Sequence, residues 1–460
     1  MSNIFMLQIN AKKIKNGIRI KFKEKNYDLV YPKEVWNNFS EEMKDFLMDN
    51  ITFLSTLHLP FYYSEDEEMY YNTNMPLFKS FFIQVQMHDV PLLCNIENKD
   101  TSEMLKKFFN LKYFFENNDC RMPSFNEELN EGAVINFTFG KESLLTFGLC
   151  KEIGLETQLV YFQGLNKSKE TRLKREYTKK FSSQFNQKFY RIKNILDYLA
   201  IPEFLNVKNN INWGNMTQLT NYCLSSIPVV SFTKSKFILF GNEKSCNSYF
   251  FNKDGYKTNP VYDQSAEWTI ELNNMIKIIT NSKASVFSMV EPLNELAVMR
   301  ILHNRYKDLG RFQFSCFIDE FDPIEKLDGR WCHVCSKCAR IYLFFKALGI
   351  DPRLVGFRDD LFKKKYINNF SLFNGKHGNV VTYDYSGLGR DEQLFAFYLA
   401  FKNGQRGRAI EIFKQKYLDE AKQREDELYK EFFGVFDSFT MPKEIKSKVE
   451  SIFKEELSSF

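Results

Sequence analysis

The chain has 460 residues, 44% of them apolar with 48 Phe and 23 Tyr, enough for two or three packed domains and too ordered in composition for a disordered chain. A net charge of +5 is small for this length and counts against a nucleic-acid partner; the densest basic stretches, Lys167 to Lys180 and Lys363 to Lys365, read as solvated surface. No run approaches 18 apolar residues and the first fifteen lack a signal-peptide pattern, so the expectation is a cytoplasmic protein without a membrane partner, its nine cysteines reduced.

Residues 1–125 are predicted to form an N-terminal α+β unit. Positions 17–22 alternate with a strand's period, and 28–31 can pair with them. A helix is predicted over 39–57, with Ser40 as N-cap and Glu41 and Glu42 in its first turn. Residues 126–350 change character. Positions 133–139 form an apolar run that fits a strand buried on both faces. A helix over 143–153 follows, closed by Gly154, and then a strand over 158–162. This βαβ unit implies a parallel sheet flanked by helices, an α/β fold. Further strands are predicted at 227–232, 236–240 and 286–290. Pro292 precedes a helix over 293–306, and another helix runs over 339–348 to Gly349. Residues 351–460 read as a mostly helical C-terminal region, with 409–433 placed across the main domain as a cover. No internal repeat is present. His58, His88, His303 and His377 read as packing or surface residues.

The sharpest local signal is Thr138-Phe139-Gly140-Lys141-Glu142-Ser143, between a buried strand and a helix start. Unpaired N–H groups at a helix N-terminus attract phosphate, and glycine allows close approach. Thr138 and Ser143 add hydroxyls, and Lys141 adds charge. Glu142 suits such a site through a divalent cation, Mg²⁺ in the first instance. An ordinary capped βα turn has the same spacing. The segment resembles the phosphate loop of ATP pyrophosphatases, patterned Ser-Gly-Gly-x-Asp-Ser. Thr138 then stands for the first Ser, Phe139 for the first Gly, Gly140 for the second, Glu142 for Asp and Ser143 for the last Ser. Phe139 and Glu142 depart from the pattern. The resemblance implies an enzyme that splits ATP into AMP and pyrophosphate while adenylating an acceptor.

Cys332, Cys335 and Cys338 share C-x₂-C-x₂-C spacing, and Cys316 can supply a fourth thiolate. Four thiolates suit a structural Zn²⁺; an iron–sulfur cluster is the alternative. His333 sits too close to Cys332 to join the same ion. Knuckle followed by helix resembles the zinc corner of 7-cyano-7-deazaguanine synthase, another protein with this phosphate loop.

Several ordered segments resemble one family among these proteins, the UDP-N-acetylmuramoyl-L-alanyl-L-glutamate epimerases. They are Leu57-His58-Leu59 with Tyr62-Tyr63, the phosphate loop, Phe240 to Ser245, Asn259 to Glu267, Pro292 to Leu296, Arg330-Trp331-Cys332, and Ser386 to Gly389. The resemblance implies an ATP-dependent isomerase of peptidoglycan and cell-wall biosynthesis. Its small-molecule substrate would be a UDP-linked muramyl dipeptide whose terminal L-Glu is inverted. Gly241, Asn242 and Glu243 would join the ATP site at a strand end, where open α/β sheets bind ligands. Asp263, Gln264, Ser265 and Glu267 are candidate substrate contacts, although exposed carboxylates are common. A deazapurine, a tRNA base or an amide-forming substrate is the alternative acceptor. A zinc-stapled binding protein without catalysis would instead bind nucleic acid with steep salt dependence.

Overall fold

The computed structural model describes residues 6–63, 68–164, 169–208, 213–314, 316, 330–374 and 382–458. Lys167 and His377 lie outside them. Ten strands form one sheet: β1 (Met6–Ile14), β2 (Gly17–Phe22), β3 (Lys25–Val30), β4 (Glu68–Asn74), β5 (Lys112–Asn117), β6 (Asn130–Asn136), β7 (Glu156–Gln163), β8 (Phe189–Asn194), β9 (Ser235–Phe240) and, after the short hairpin β10 (Phe250–Phe251) and β11 (Lys257–Thr258), β12 (Ser285–Ser288). The spatial order is β12-β9-β6-β7-β8-β3-β2-β1-β4-β5.

From β12 to β8 every neighbouring pair is parallel. β8–β3, β3–β2 and β2–β1 are antiparallel, and β1–β4–β5 are parallel again. The molecule is therefore an α/β protein with a large, mostly parallel sheet flanked by helices. Residues 1–125 contribute β1 to β5 to the same sheet, and the seam at β3–β8 registers Leu29 with Asn194 and Val30 with Lys193.

The apolar run at 133–139 is explained by burial on both faces. Ala133 and Ile135 face one core with the C-terminal helices, while Val134 faces a second core with the N-terminal unit. Period-two alternation sends successive side chains to opposite faces, so a strand covered on both sides reads as continuously apolar. The strand itself ends at Asn136, and 137–140 leave the sheet as a turn. Ser40 caps the helix Glu41–Leu54 as expected, its Oγ accepting the Met43 N–H at 3.3 Å.

One predicted strand is a helix. Positions 227–232 are the end of the buried helix Gln218–Thr233, with Pro228 inside it. A short apolar run bounded by polar residues does not distinguish a buried helix from a strand, and here the helical partners decide. The cover at 409–433 is three short helices, Arg408–Lys416, Leu418–Gln423 and Glu425–Phe433, packed on Gly387–Lys402. Among the described residues, no helix is long and apolar enough to cross a membrane.

Candidate functional site

In the parallel half, the chain builds β6, β7 and β8 outward in one direction and then β9 and β12 in the other. Connections after β6 and β9 therefore diverge to opposite faces, and the carboxyl ends of these two neighbours are where open α/β sheets place ligands. The predicted phosphate loop follows β6, and Gly241-Asn242-Glu243 follows β9. The two loops touch: a Cβ on Gly241 would stand 2.4 Å from the Glu142 Cβ, so only glycine fits there.

The β6 loop is internally braced. The Thr138 N–H donates to Ser143 Oγ at 3.3 Å, the Gly140 N–H to Thr138 Oγ1 at 3.3 Å, and Ser143 Oγ to the Gly140 carbonyl at 3.1 Å. Gly140 is the N-cap of the helix Lys141–Glu152 and supplies no side chain to its first turn. Phe139 has φ +63°, in the left-handed region. That conformation costs a side-chain-bearing residue about 1–2 kcal/mol. Its ring is fully buried against Phe137, Phe181 and Phe189, which holds the strained backbone in place.

The mouth between the two loops is a knot of charge. Lys141 is buried and pairs with Glu142, with Glu243 Oε2 at 3.4 Å and with Glu295 Oε1 at 3.6 Å. Burial works to lower the Lys141 pKa, but the three carboxylates outweigh it and raise it. Burial likewise drives Glu243 well above the carboxylate range, against the pull of Lys141. Glu295 is also buried, which by itself raises its pKa, yet the Arg340 guanidinium and Lys141 hold it down at about 2. Arg340 donates to Glu295 at 3.2 and 3.3 Å and to Asp384 at 2.5 Å. Glu392, behind Glu295, is raised to about 8 by burial and then by the Glu295 charge.

Glu142, Glu243 and Glu295 each place a carboxylate oxygen within 4.8 Å of the others, an arrangement able to hold a metal ion. Glu243 Oε1 accepts from Ser245 Oγ at 2.9 Å, while its buried Oε2 has no hydrogen-bond partner among the described residues. Three hard oxygen donors suit a hard divalent cation, with the Lys141 ammonium 3.4 Å from Glu243 Oε2 as the charge such a cation would meet. Glu295 was not singled out as a site residue from sequence. Its signals in sequence are its place in the segment Pro292 to Leu296 and its position at the start of the helix Glu295–Arg305 that follows β12.

The other candidates lie behind the mouth. Asn242 Nδ2 donates to Thr269 Oγ1 at 3.1 Å. Asp263 Oδ2 accepts the Leu219 N–H at 3.3 Å in the first turn of Gln218–Thr233, and burial raises its pKa to about 8. Ser265 Oγ caps the helix Ala266–Ile279 by accepting the Trp268 N–H at 3.1 Å. Glu267 Oε1 accepts from the Tyr262 hydroxyl at 3.0 Å, and Gln264 Oε1 accepts from Cys246 Sγ at 3.8 Å. Asp263, Gln264, Ser265 and Glu267 are thus spent on structural contacts and do not join the three carboxylates. His58 is buried against the Leu199 carbonyl, His88 stacks on Tyr262, and His303 pairs with Gln313.

The four cysteines converge. Cys332 Sγ lies 3.5 Å from both Cys335 and Cys338, and Cys338 lies 3.8 Å from Cys316. Sulfurs on a tetrahedron with bonds of about 2.3 Å stand about 3.8 Å apart, so the cluster could hold one metal ion with little adjustment. Backbone N–H groups point at the sulfurs, Val334 to Cys332 and Cys338 to Cys335, each at 3.4 Å. His333 has φ +62°, its Nε2 accepts the Arg358 N–H at 3.3 Å, and it is not part of the four-sulfur group. The helix Ser336–Ala347 starts at the knuckle and carries Arg340 to Glu295.

Fold and sites together define an α/β protein with a carboxylate–lysine cluster at its strand ends and a four-cysteine cluster able to hold a metal ion. Compared with known proteins, the chain matches no family model and no curated protein.

Proposed function

We propose that the chain is an ATP-dependent enzyme of the ATP pyrophosphatase type, with its nucleotide site at the carboxyl ends of β6 and β9. The observation that carries this reading is the left-handed Phe139. It occupies the place of the first glycine in the phosphate-loop pattern, and the backbone adopts there the conformation glycine favours. Strain of this kind persists where surroundings over-determine it, and it clusters at ligand sites.

Lys141 is engaged by three carboxylates, so a bare triphosphate would meet net negative charge at the mouth. A divalent cation bound by Glu142, Glu243 and Glu295 would screen that charge and release the Lys141 ammonium toward phosphate. The Gly140 turn and the first N–H groups of Lys141–Glu152 would hold phosphate oxygens. The acceptor favoured by the family resemblance is the terminal L-Glu of UDP-MurNAc-L-Ala-L-Glu. Attack of a Glu carboxylate oxygen on the α-phosphorus would release pyrophosphate and leave an acyl adenylate. With its charge neutralised, the α-carbon becomes more acidic, so a proton can leave one face and return to the other. Hydrolysis then gives AMP and the D-Glu product. The cysteine cluster is assigned a structural zinc, because its sulfurs are spaced for one ion and an iron–sulfur cluster spreads them over several irons.

The test is purified protein with Mg²⁺, ATP and UDP-MurNAc-L-Ala-L-Glu. AMP together with D-Glu product is expected. AMP formation with other carboxylate acceptors alone would move the substrate; no AMP with any acceptor would remove the ATP chemistry. Elemental analysis finding iron in place of zinc would overturn the metal assignment.

A further inference from the structure

The ten-stranded sheet has two outer edges, β12 and β5, and they are finished differently. On β12 the Val286 N–H donates to Asn273 Oδ1 at 2.9 Å and the Ser288 N–H to Thr440 Oγ1 at 3.4 Å, so side chains close that edge. β5 pairs with β4 on one side. On its other side, no group among the described residues hydrogen-bonds to its backbone. Proteins normally blunt a bare edge with charge, proline or a covering loop, because it is a template for another strand. The side chains of β5 alternate: Tyr113 and Phe115 pack toward the core, while Lys112, Phe114 and Glu116 face solvent. Phe114 is 43% exposed, and Phe109, at the end of the helix Thr101–Asn110, is 66% exposed. A groove of about 430 Å³ opens beside the strand, between Ile83, Phe108 and Phe109 on the helices and Phe114 on β5. Lys112 and Glu116 stand two positions either side of Phe114. Lys112 pairs at the surface with Glu68 at 3.3 Å, and Glu116 is in no ion pair among the described residues.

We propose that β5 is the contact between two copies of this chain, paired antiparallel about a two-fold axis at Phe114. In that register Lys112 of each copy meets Glu116 of the other, Tyr113 meets Phe115, and the two Phe114 rings meet on the solvent face. The charge pattern selects this occupant. A lysine alone on an edge repels an approaching copy, but Lys and Glu placed symmetrically about an aromatic make the strand complementary to its own reverse. A parallel copy in register would set Lys112 against Lys112 and Glu116 against Glu116, and like charges directly opposite are destabilising. The groove beside the strand adds apolar surface for the second copy to cover. Each copy carries one such edge, so the contact closes at two chains and joins their sheets into one.

The experiment is sedimentation velocity on the full chain across the micromolar range, where a monomer–dimer equilibrium is expected. Glu116→Lys is expected to weaken association about tenfold or more, because two attractive cross-strand pairs become repulsive. Lys112→Glu should do the same. An equal mixture of the two variants should recover dimer of parental strength, since every Glu in the mixed pair then faces a Lys. Both substitutions change exposed side chains, so each variant should keep the circular-dichroism spectrum of the parent. A parent that stays monomeric throughout the range overturns the proposal. A dimer that survives both single substitutions places the contact on another surface and overturns it too. Two weakened variants that fail to rescue each other overturn the antiparallel register, and growth beyond two chains overturns the closed pair.

Discussion

The cysteine cluster and the carboxylate mouth are built in opposite ways. The first takes three of its four sulfurs from one short stretch, Cys332 to Cys338. The second takes its carboxylates from the connections after β6, β9 and β12, two from first turns of helices and one from a loop, which meet because the sheet order makes those strands neighbours. The cysteine sulfurs are gathered by one knuckle, and backbone N–H groups meet two of them. The mouth is balanced from within, with Lys141 and Arg340 set among Glu142, Glu243, Glu295 and Asp384. A local cluster awaits its ligand; a dispersed one must first satisfy itself.

The largest expected effect tests the first half of that contrast. Cys332→Ser removes the sulfur nearest two others and should cost the metal and about 5 kcal/mol or more, read by thermal unfolding with metal analysis. An unchanged midpoint would mean that the cluster holds no structural ion. Next, Arg340→Met leaves Glu295 and Asp384 buried without their shared guanidinium, an expected loss of about 3–5 kcal/mol in urea unfolding. A loss below about 1 kcal/mol would mean that the mouth is not internally balanced.

The smallest effect concerns a buried carboxyl outside both clusters. Asp263 titrates at about 8 in the fold against an ordinary value of 3.8, because burial penalises its charged form. Its folded pKa is raised, so its stability contribution is full below about pH 4 and is lost as pH rises through 8. Relative to Asp263→Asn, the parent should lose on the order of 2 kcal/mol between pH 5 and 7. A pH-independent difference between the two would show that Asp263 finds a cation or stays solvated.

What could be read from the sequence was whatever is local. The strand–turn–helix at 133–153, the cap at Ser40 and the regular cysteine spacing each depend on residues a few positions apart. Glu295 could not be assigned, because its role depends on which strand lies beside which. Positions 227–232 were misjudged as a strand because apolarity records burial and leaves the backbone conformation open. Phe139 shows the converse case. Its side chain departs from the glycine of the pattern while its backbone keeps φ +63°, held by a cluster of rings that no motif encodes. Asp263, Ser265 and Glu267 carry site-like chemistry in sequence and spend it on a helix N-terminus, a cap and a tyrosine.

The seam between β3 and β8 has a consequence for synthesis. The strands of the N-terminal half leave the ribosome first, and β3 presents an unpaired hydrogen-bonding edge until the chain has been made as far as Asn194. An exposed edge invites pairing with another chain. The nascent protein thus passes through a stage in which half a sheet waits for its other half, and crowding of translating ribosomes would act on that stage before any site exists.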